Sequence, residues 1–282
     1  YGEGKFTSIL DDYSEFNDDL QDNLINLKNR IFAFEDLSKY AKELNLLEKE
    51  LTLFHGKVLE KVLKGIENKV DLIGFHGQTI FHNSKKKISK QLGDGKLLSQ
   101  ITKKVVINDF RKEDLKNGGQ GAPLTPIFHK LISSIINQKF RISYPLGIVN
   151  IGGITNISLI SDNNEFNNSN LYAYDIAPGN CLIDKWIRRN SNKKFDKDGK
   201  IAASGKVDEL ILNQAIDNFE LSKYEQSLDI NDFDISFVKG LSLEDGCATL
   251  TKFTAFLIAK GIEYTNNLNK SKCELFLTCG GG

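Results

Sequence analysis

Polar, chemistry-bearing side chains concentrate in four loops of this sequence. One is Gly74-Phe75-His76-Gly77-Gln78-Thr79-Ile80-Phe81-His82. A second opens as Asn108-Asp109-Phe110-Arg111 and continues through Gly118-Gly119-Gln120-Gly121-Ala122-Pro123 to His129. The third is Asn150-Ile151-Gly152-Gly153-Ile154-Thr155-Asn156. The fourth is Tyr174-Asp175-Ile176-Ala177-Pro178-Gly179-Asn180, with Asp184 a helical turn further on. Each alone has a plain structural explanation. Gly152-Gly153 between two apolar runs reads first as a hairpin turn, Asp109 and Arg111 as a loop ion pair, and Asp184 as a capping or surface acid. His76 and His82 lack a third ligand at metal spacing, so no metal site is expected from them.

In combination the loops ask for a chemical explanation. Glycine turns let backbone N–H groups approach phosphate oxygens with no Cβ in the way, which makes Gly152 and Gly153 candidate phosphate contacts. Carboxylates at strand ends beside such turns, as at Asp109 and Asp175, suit a phosphotransferase. One can activate a nucleophile while another holds Mg²⁺ through water. His76, Gln78, Thr79, Gln120, Asn180 and Asp184 supply directed hydrogen bonds that match a polyhydroxylated substrate better than an apolar one. Neither G-x-x-x-x-G-K-S/T nor G-x-G-x-x-G occurs, which argues against P-loop and Rossmann nucleotide sites.

The elements that must hold these loops are legible in outline. Residues 1–30 are polar, with an extended stretch around Phe6 to Leu10. From Phe34 to Lys69 apolar residues recur at three- and four-residue steps, giving one long helix or two in succession. Short apolar runs at 70–75, 88–92, 104–110, 171–176 and 274–278 read as strands, and 146–151 with 154–160 as a hairpin. Helices are expected near 97–101, over 126–137, from Asn180, over 207–219 and over 243–265. Ser242 followed by Asp245 forms a capping signature for the last of these. Strands mixed with helical crossovers give an α/β fold with a mixed sheet in two lobes, an N-terminal lobe over 1–145 and a C-terminal lobe over 146–282.

Bulk composition agrees with a soluble globular protein: 40% hydrophobic and 26% charged among 282 residues. The 37 basic and 37 acidic residues cancel, so no global field favours nucleic acid or a membrane surface. No apolar run reaches membrane-span length and no signal peptide is evident, so a cytoplasmic protein is expected. The cysteines Cys181, Cys247, Cys273 and Cys279 form no C-x-x-C pair and read as buried free thiols. The chain begins at Tyr1 and closes on Gly280-Gly281-Gly282 just after a strand. A glycine turn there is expected to approach a nucleotide, and the chain reads as truncated.

The four loops together, as HGQT, DFR with GGQGAPL and PxFH, NIGG with TN, and D followed by PGN and D, resemble the anhydro-N-acetylmuramic acid kinase family. This family belongs to the actin-like ATPase and sugar-kinase superfamily. The resemblance runs from about Leu72 to Gly282. It implies a two-lobed ribonuclease H-like fold, use of ATP with Mg²⁺, and phosphorylation of O6 of 1,6-anhydro-N-acetylmuramic acid as water opens the anhydro bridge. The family pattern places the base at Asp175, with Asp109 the rival. It puts Arg111 and Asp114 near the sugar or phosphoryl group, Gly152, Gly153 and Asn156 on a phosphate hairpin, and Gly280, Gly281 and Gly282 on a nucleotide loop. A homodimer is compatible with it. Two departures stand out: nothing before Leu10 matches the family's first phosphate loop, and the family continues past the final glycines. A lesser one is Ala177, which replaces the glycine usual before Pro-Gly-Asn. Little kinase activity is therefore expected of the chain as it stands, and a sugar-binding module of the same fold is the alternative reading.

Overall fold

The helical spacing that begins at Phe34 folds as two helices, α2 (Phe34–Lys39) and α3 (Ala41–Lys64), broken at Tyr40. A computed structural model describes residues 6–66, 70–161, 171–219, 228, 233–268 and 272–281. Ahead of α2 lies a helix that the polar composition concealed, α1 (Asp18–Lys28). Asn17 caps it, its side-chain oxygen accepting the Leu20 N–H at 2.8 Å. Leu20, Leu24 and Leu27 share one face and pack with Leu44, Leu47 and Leu51 of α3. Burying each such leucine contributes about 1.5–3 kcal/mol, enough to hold a helix that is otherwise acidic. The extended stretch expected at Phe6 to Leu10 is no strand.

The chain divides into two compact units, one over Thr7–Ala122 and one from Pro123 onward that also takes in Phe6. The boundary read from the sequence, at 145/146, lies beyond helix α6 (Pro126–Phe140), which here packs on strands of the later unit.

In the unit 7–122, β1 (Leu72–Gly74) pairs in parallel with β4 (Val105–Ile107). Beside them β2 (Gln78–Asn83) pairs antiparallel with β3 (Ile88–Leu92). Residues 78–82, expected within a site loop that runs from Gly74 to His82, lie in this strand. Helix α4 (Gly95–Thr102) is capped by Asp94, whose carboxylate accepts the Leu97 N–H at 2.9 Å. The run expected as strand from Lys104 to Phe110 stops at Ile107. A short helix, α5 (Phe110–Lys116), follows at once, because Asp109 turns the chain with φ +60°.

In the later unit β5 (Leu146–Ile151), β6 (Ile154–Ile160), β7 (Leu171–Pro178) and β8 (Leu275–Cys279) form a mixed sheet in the order β7-β6-β5-β8. The first two pairings are antiparallel and β5–β8 is parallel, as the hairpin signal and crossover pattern require. One face carries Val149, Ile157 and Ile176 into a core with α7 (Cys181–Asn190) and α10 (Leu243–Leu268), through Leu182, Trp186, Leu250, Phe253 and Leu257. The opposite face carries Leu146, Ile148 and Ile160. Short helices α8 (Lys200–Ser204) and α9 (Glu209–Asp217) pack on α10. Ser242 caps α10 as the sequence indicated, its hydroxyl accepting the Asp245 N–H at 3.0 Å.

Cys181, Cys247 and Cys273 are buried, whereas Cys279 is exposed at the sheet edge. The expectation of four buried thiols fails there because β8 is, among the described residues, an edge strand whose end opens to solvent. Burial pushes the Cys181 thiol up to about 11 and that of Cys247 up to about 12, so both stay protonated at neutral pH. Among the described residues no helix is long and apolar enough to cross a membrane.

Candidate active site

In the unit 7–122 the site residues gather where β1, β2 and α5 meet. His76 follows β1, and its Nδ1 lies 2.8 Å from the Gly77 carbonyl oxygen, which can only accept. The proton therefore sits on Nδ1, leaving Nε2 to accept the Nε–H of Arg111 at 3.0 Å. Arg111 also donates to the Gly121 carbonyl at 2.7 Å. Gly77 is required here. With φ +68° its added Cβ would collide with the Leu92 carbonyl, which brings the His76 loop against the end of β3.

Asp114, expected near the sugar or phosphoryl group, holds the glycine turn. Its carboxylate accepts the Gly121 N–H at 2.7 Å, and its carbonyl accepts the Gly119 N–H at 2.8 Å. Gly119 has no room for a Cβ against that carboxylate. His76, Arg111, Asp114 and the Gln120 loop thus form one hydrogen-bonded group, with Gln78 and Gln120 exposed. Thr79 lies apart from that network, its hydroxyl receiving the Gln91 amide at 3.3 Å. Asp109 starts the same helix as Arg111 but turns to solvent, its side chain 44% exposed and paired with Lys112 at 2.9 Å.

In the later unit two glycine-bearing loops, at Gly179 and Gly280, converge on the β5–β6 hairpin. Carbonyl oxygens of Gly152 and Gly153 accept the amides leading into α7: Asn180 N–H to Gly152 at 2.8 Å, and Gly179 N–H and the first amide of α7, Cys181 N–H, to Gly153 at 3.0 and 3.3 Å. The amides at a helix start, a usual seat for phosphate, are here already bonded to the hairpin. A Cβ at Gly179 would strike the Gly152 carbonyl, and one at Gly280, where φ is +108°, would strike that of Ile151. Both glycines serve close backbone approach. Gly153 has open space about it. Gly281 is exposed, and Gly282 lies outside the described residues. Ala177, the departure from the family pattern, places its methyl in the core at 1% exposure, so the change is accommodated by packing.

Asp175 stands on β7 opposite Asn156 of β6, next to a bulge where Thr155 pairs with Ala177 and Ile176 is the extra residue. It is 6% exposed, and its carboxylate accepts the Leu228 N–H at 2.8 Å. Asn156 in turn faces Asn150 of β5, and Asn150 faces Cys279 of β8. The thiol of Cys279 points to the Asn150 side-chain oxygen at 3.7 Å. Asn150 opens the third loop, and its residue type alone gives no sign of this place. Only the strand register shows it in this row.

Asp184 lies one turn into α7. Burial raises its carboxyl to about 6, with Asp196 adding to the rise and Arg188, 3.8 Å away, opposing it. His129 of α6 is buried and bonded to the Ser158 hydroxyl at 2.8 Å, and burial holds its imidazole below the usual value. Among the described residues no three His, Cys, Asp or Glu side chains gather into a metal cage.

A mixed α/β chain whose glycine loops converge beside a buried aspartate is of the sugar-kinase and actin-like ATPase fold class. A family model described as anhydro-N-acetylmuramic acid kinase matches residues 2–282. The chain belongs to the anhydro-N-acetylmuramic acid kinase family. It is similar to the anhydro-N-acetylmuramic acid kinase of Pelagibacter ubique (strain HTCC1062), at 48% identity over 283 residues, covering 100% of this chain and 74% of that relative. Relatives with the same name from Methylobacterium nodulans and Brucella canis are 37% and 34% identical. The matches cover 83% and 96% of this chain, and 60% and 70% of those relatives' own length.

Proposed function

We propose that the protein is an ATP-dependent kinase that opens 1,6-anhydro-N-acetylmuramic acid with water and phosphorylates O6. The product is N-acetylmuramic acid 6-phosphate, in cell-wall recycling and amino-sugar catabolism. The observation that carries this reading is the buried carboxylate of Asp175, set at a strand bulge beside the Gly152–Gly153 hairpin in a chain of this family. Asp175 takes one proton from water, and the oxygen of that water forms a bond to the anomeric carbon. The C1–O6 bond breaks and its electron pair stays on O6. O6 then attacks the γ-phosphorus, the bond to the β-phosphate oxygen breaks, and ADP leaves with that pair. The second proton of the water remains on the new C1 hydroxyl, and the proton on Asp175 passes later to solvent.

Asp175 suits the base better than Asp109. Asp175 is shielded and fixed by a backbone donor, whereas Asp109 is exposed and tied to Lys112. His76, Gln78, Arg111 and Gln120 offer the donors and acceptors for sugar hydroxyls, while Gly152 and Gly153 present backbone to ATP. Mg²⁺ commonly enters such sites on the nucleotide, held by phosphates and water with few protein ligands. The enzyme so described works on small molecules in the cytoplasm.

The test uses the full-length gene product with ATP and the anhydro sugar, with mass spectrometry as the readout. A sugar 6-phosphate is expected. Asp175→Asn is expected to lower kcat about 10²–10⁴-fold at little-changed KM, and Asp109→Asn far less. Absence of the phosphorylated sugar from the wild type sinks the reading. Loss of turnover in Asp109→Asn alone moves the base to Asp109.

A further inference from the structure

The side-chain oxygen of Asn156 is sealed from solvent and accepts no hydrogen bond. A buried acceptor left without a donor costs roughly 1–3 kcal/mol, so its position asks for a reason. Register supplies one. Asn156 lies directly opposite Asp175 on the neighbouring strand, and residues so paired leave the sheet on the same face with Cβ atoms about 4.5–5.5 Å apart. While Asp175 is ionised the two oxygens can only face each other as acceptors. Once Asp175 carries a proton, its O–H becomes the missing donor.

We propose that Asn156 is a positioning residue for the protonated state of Asp175, its side-chain oxygen receiving the hydrogen bond of the newly formed carboxyl. The inference rests on Asp175 being the base. Such an acceptor stabilises the protonated form over the ionised one and so strengthens Asp175 as a base. A sealed oxygen is poorly placed to meet a nucleotide, which sets this role apart from the phosphate contact expected of Asn156 from the sequence. Among the described residues, the other titratable groups near β7 sit on α6 and α10, the helices packed against it. These are His129 and Lys130 of α6, and Lys260, Glu263 and Tyr264 of α10, with Tyr172 and Tyr174 on β7 itself. The Tyr174 hydroxyl is engaged by Thr265 at 2.8 Å and the His129 ring by Ser158.

The experiment measures kcat against pH, with KM for ATP, on the full-length enzyme carrying Asn156→Leu or Asn156→Asp. Leucine removes the acceptor, so the acid limb of the profile is expected to move to lower pH and the plateau kcat to fall about tenfold or more. Aspartate keeps an oxygen but adds a like charge, so the limb is expected to move to higher pH. Opposite displacements at an unchanged KM for ATP support the proposal. An acid limb that stays in place in both variants overturns it, as does a raised KM for ATP with an unmoved limb, which would mark a nucleotide contact. If one variant fails to fold, the sign of the displacement in the other decides. Asp175→Asn serves as the control: if it is inactive while both limbs stay put, only this inference fails. If it keeps wild-type turnover, the assignment of the base fails as well.

Discussion

Asp184 shows how far a single side chain's setting can depart from its sequence context. One turn into an amphipathic helix it reads as a surface acid, yet burial lifts its carboxyl to about 6, above the ordinary 3.8. Between those values the folded protein holds a proton that the unfolded chain has released. The stabilisation from the neutral acid is therefore present below about pH 4 and is lost as pH rises through about 6. Asp184→Asn keeps the neutral shape at every pH. Its melting temperature relative to wild type is expected to climb between pH 4 and 6.5 and then level off. The rise corresponds to on the order of 1 kcal/mol once solvent screening is allowed for. Calorimetry across that range checks it, and a difference that stays flat with pH would show the carboxyl is not held neutral by burial. Asp114 makes a complementary point. The family pattern put it near the sugar or phosphoryl group, and the closeness of Gly119 and Gly121 adds a part in holding the turn that the pattern does not display.

At the scale of elements, the hairpin and the loop before α7 stand or fall together. Gly179→Ala is expected to cost about 1–3 kcal/mol, as overpacking does, because the new methyl meets the Gly152 carbonyl. Gly153→Ala, with open space around it, is expected to change stability by less than about 0.5 kcal/mol. Denaturant unfolding of the two variants checks the contrast, and equal losses would contradict the packing described. These elements were readable from sequence because strong local signals agree with the tertiary outcome. Paired apolar runs flank Gly152-Gly153, and Ser242 and Asp245 mark the start of α10. Three others were not. In α1, the leucines are diluted by Asp and Asn, and the helix depends on Leu44, Leu47 and Leu51 of a later segment. β2 exists through its partner β3, not through its own composition. α5 follows β4 with no spacer, because Asp109 takes a left-handed conformation that only the finished fold reveals. The glycine positions were legible, but the backbone they pack against was not. Gly179 and Gly280 allow close backbone approach, which a sequence displays no differently from a phosphate turn.

For the whole molecule, each unit carries its own apolar core, around Leu51 in one and around Leu182 and Leu250 in the other. Leu51→Ala is expected to cost about 2–5 kcal/mol. The faster amide exchange should concentrate in α1, α3 and β2–β3, while β5–β6 and α10 keep their protection. Exchange that quickens evenly along the chain would mean the two cores unfold as one. The balanced charge leaves local geometry to determine what the molecule binds. The Gly152 and Gly153 carbonyls that cap α7 bear directly on that geometry. A turn tied to a helix start cannot reshape around a visitor without uncapping the helix, so it presents much the same surface before and after ligand arrives. The entropy of arranging that surface is lost during folding and need not be lost again on binding. Whatever adaptation the reaction cycle demands must then be made by segments less firmly tied than this one.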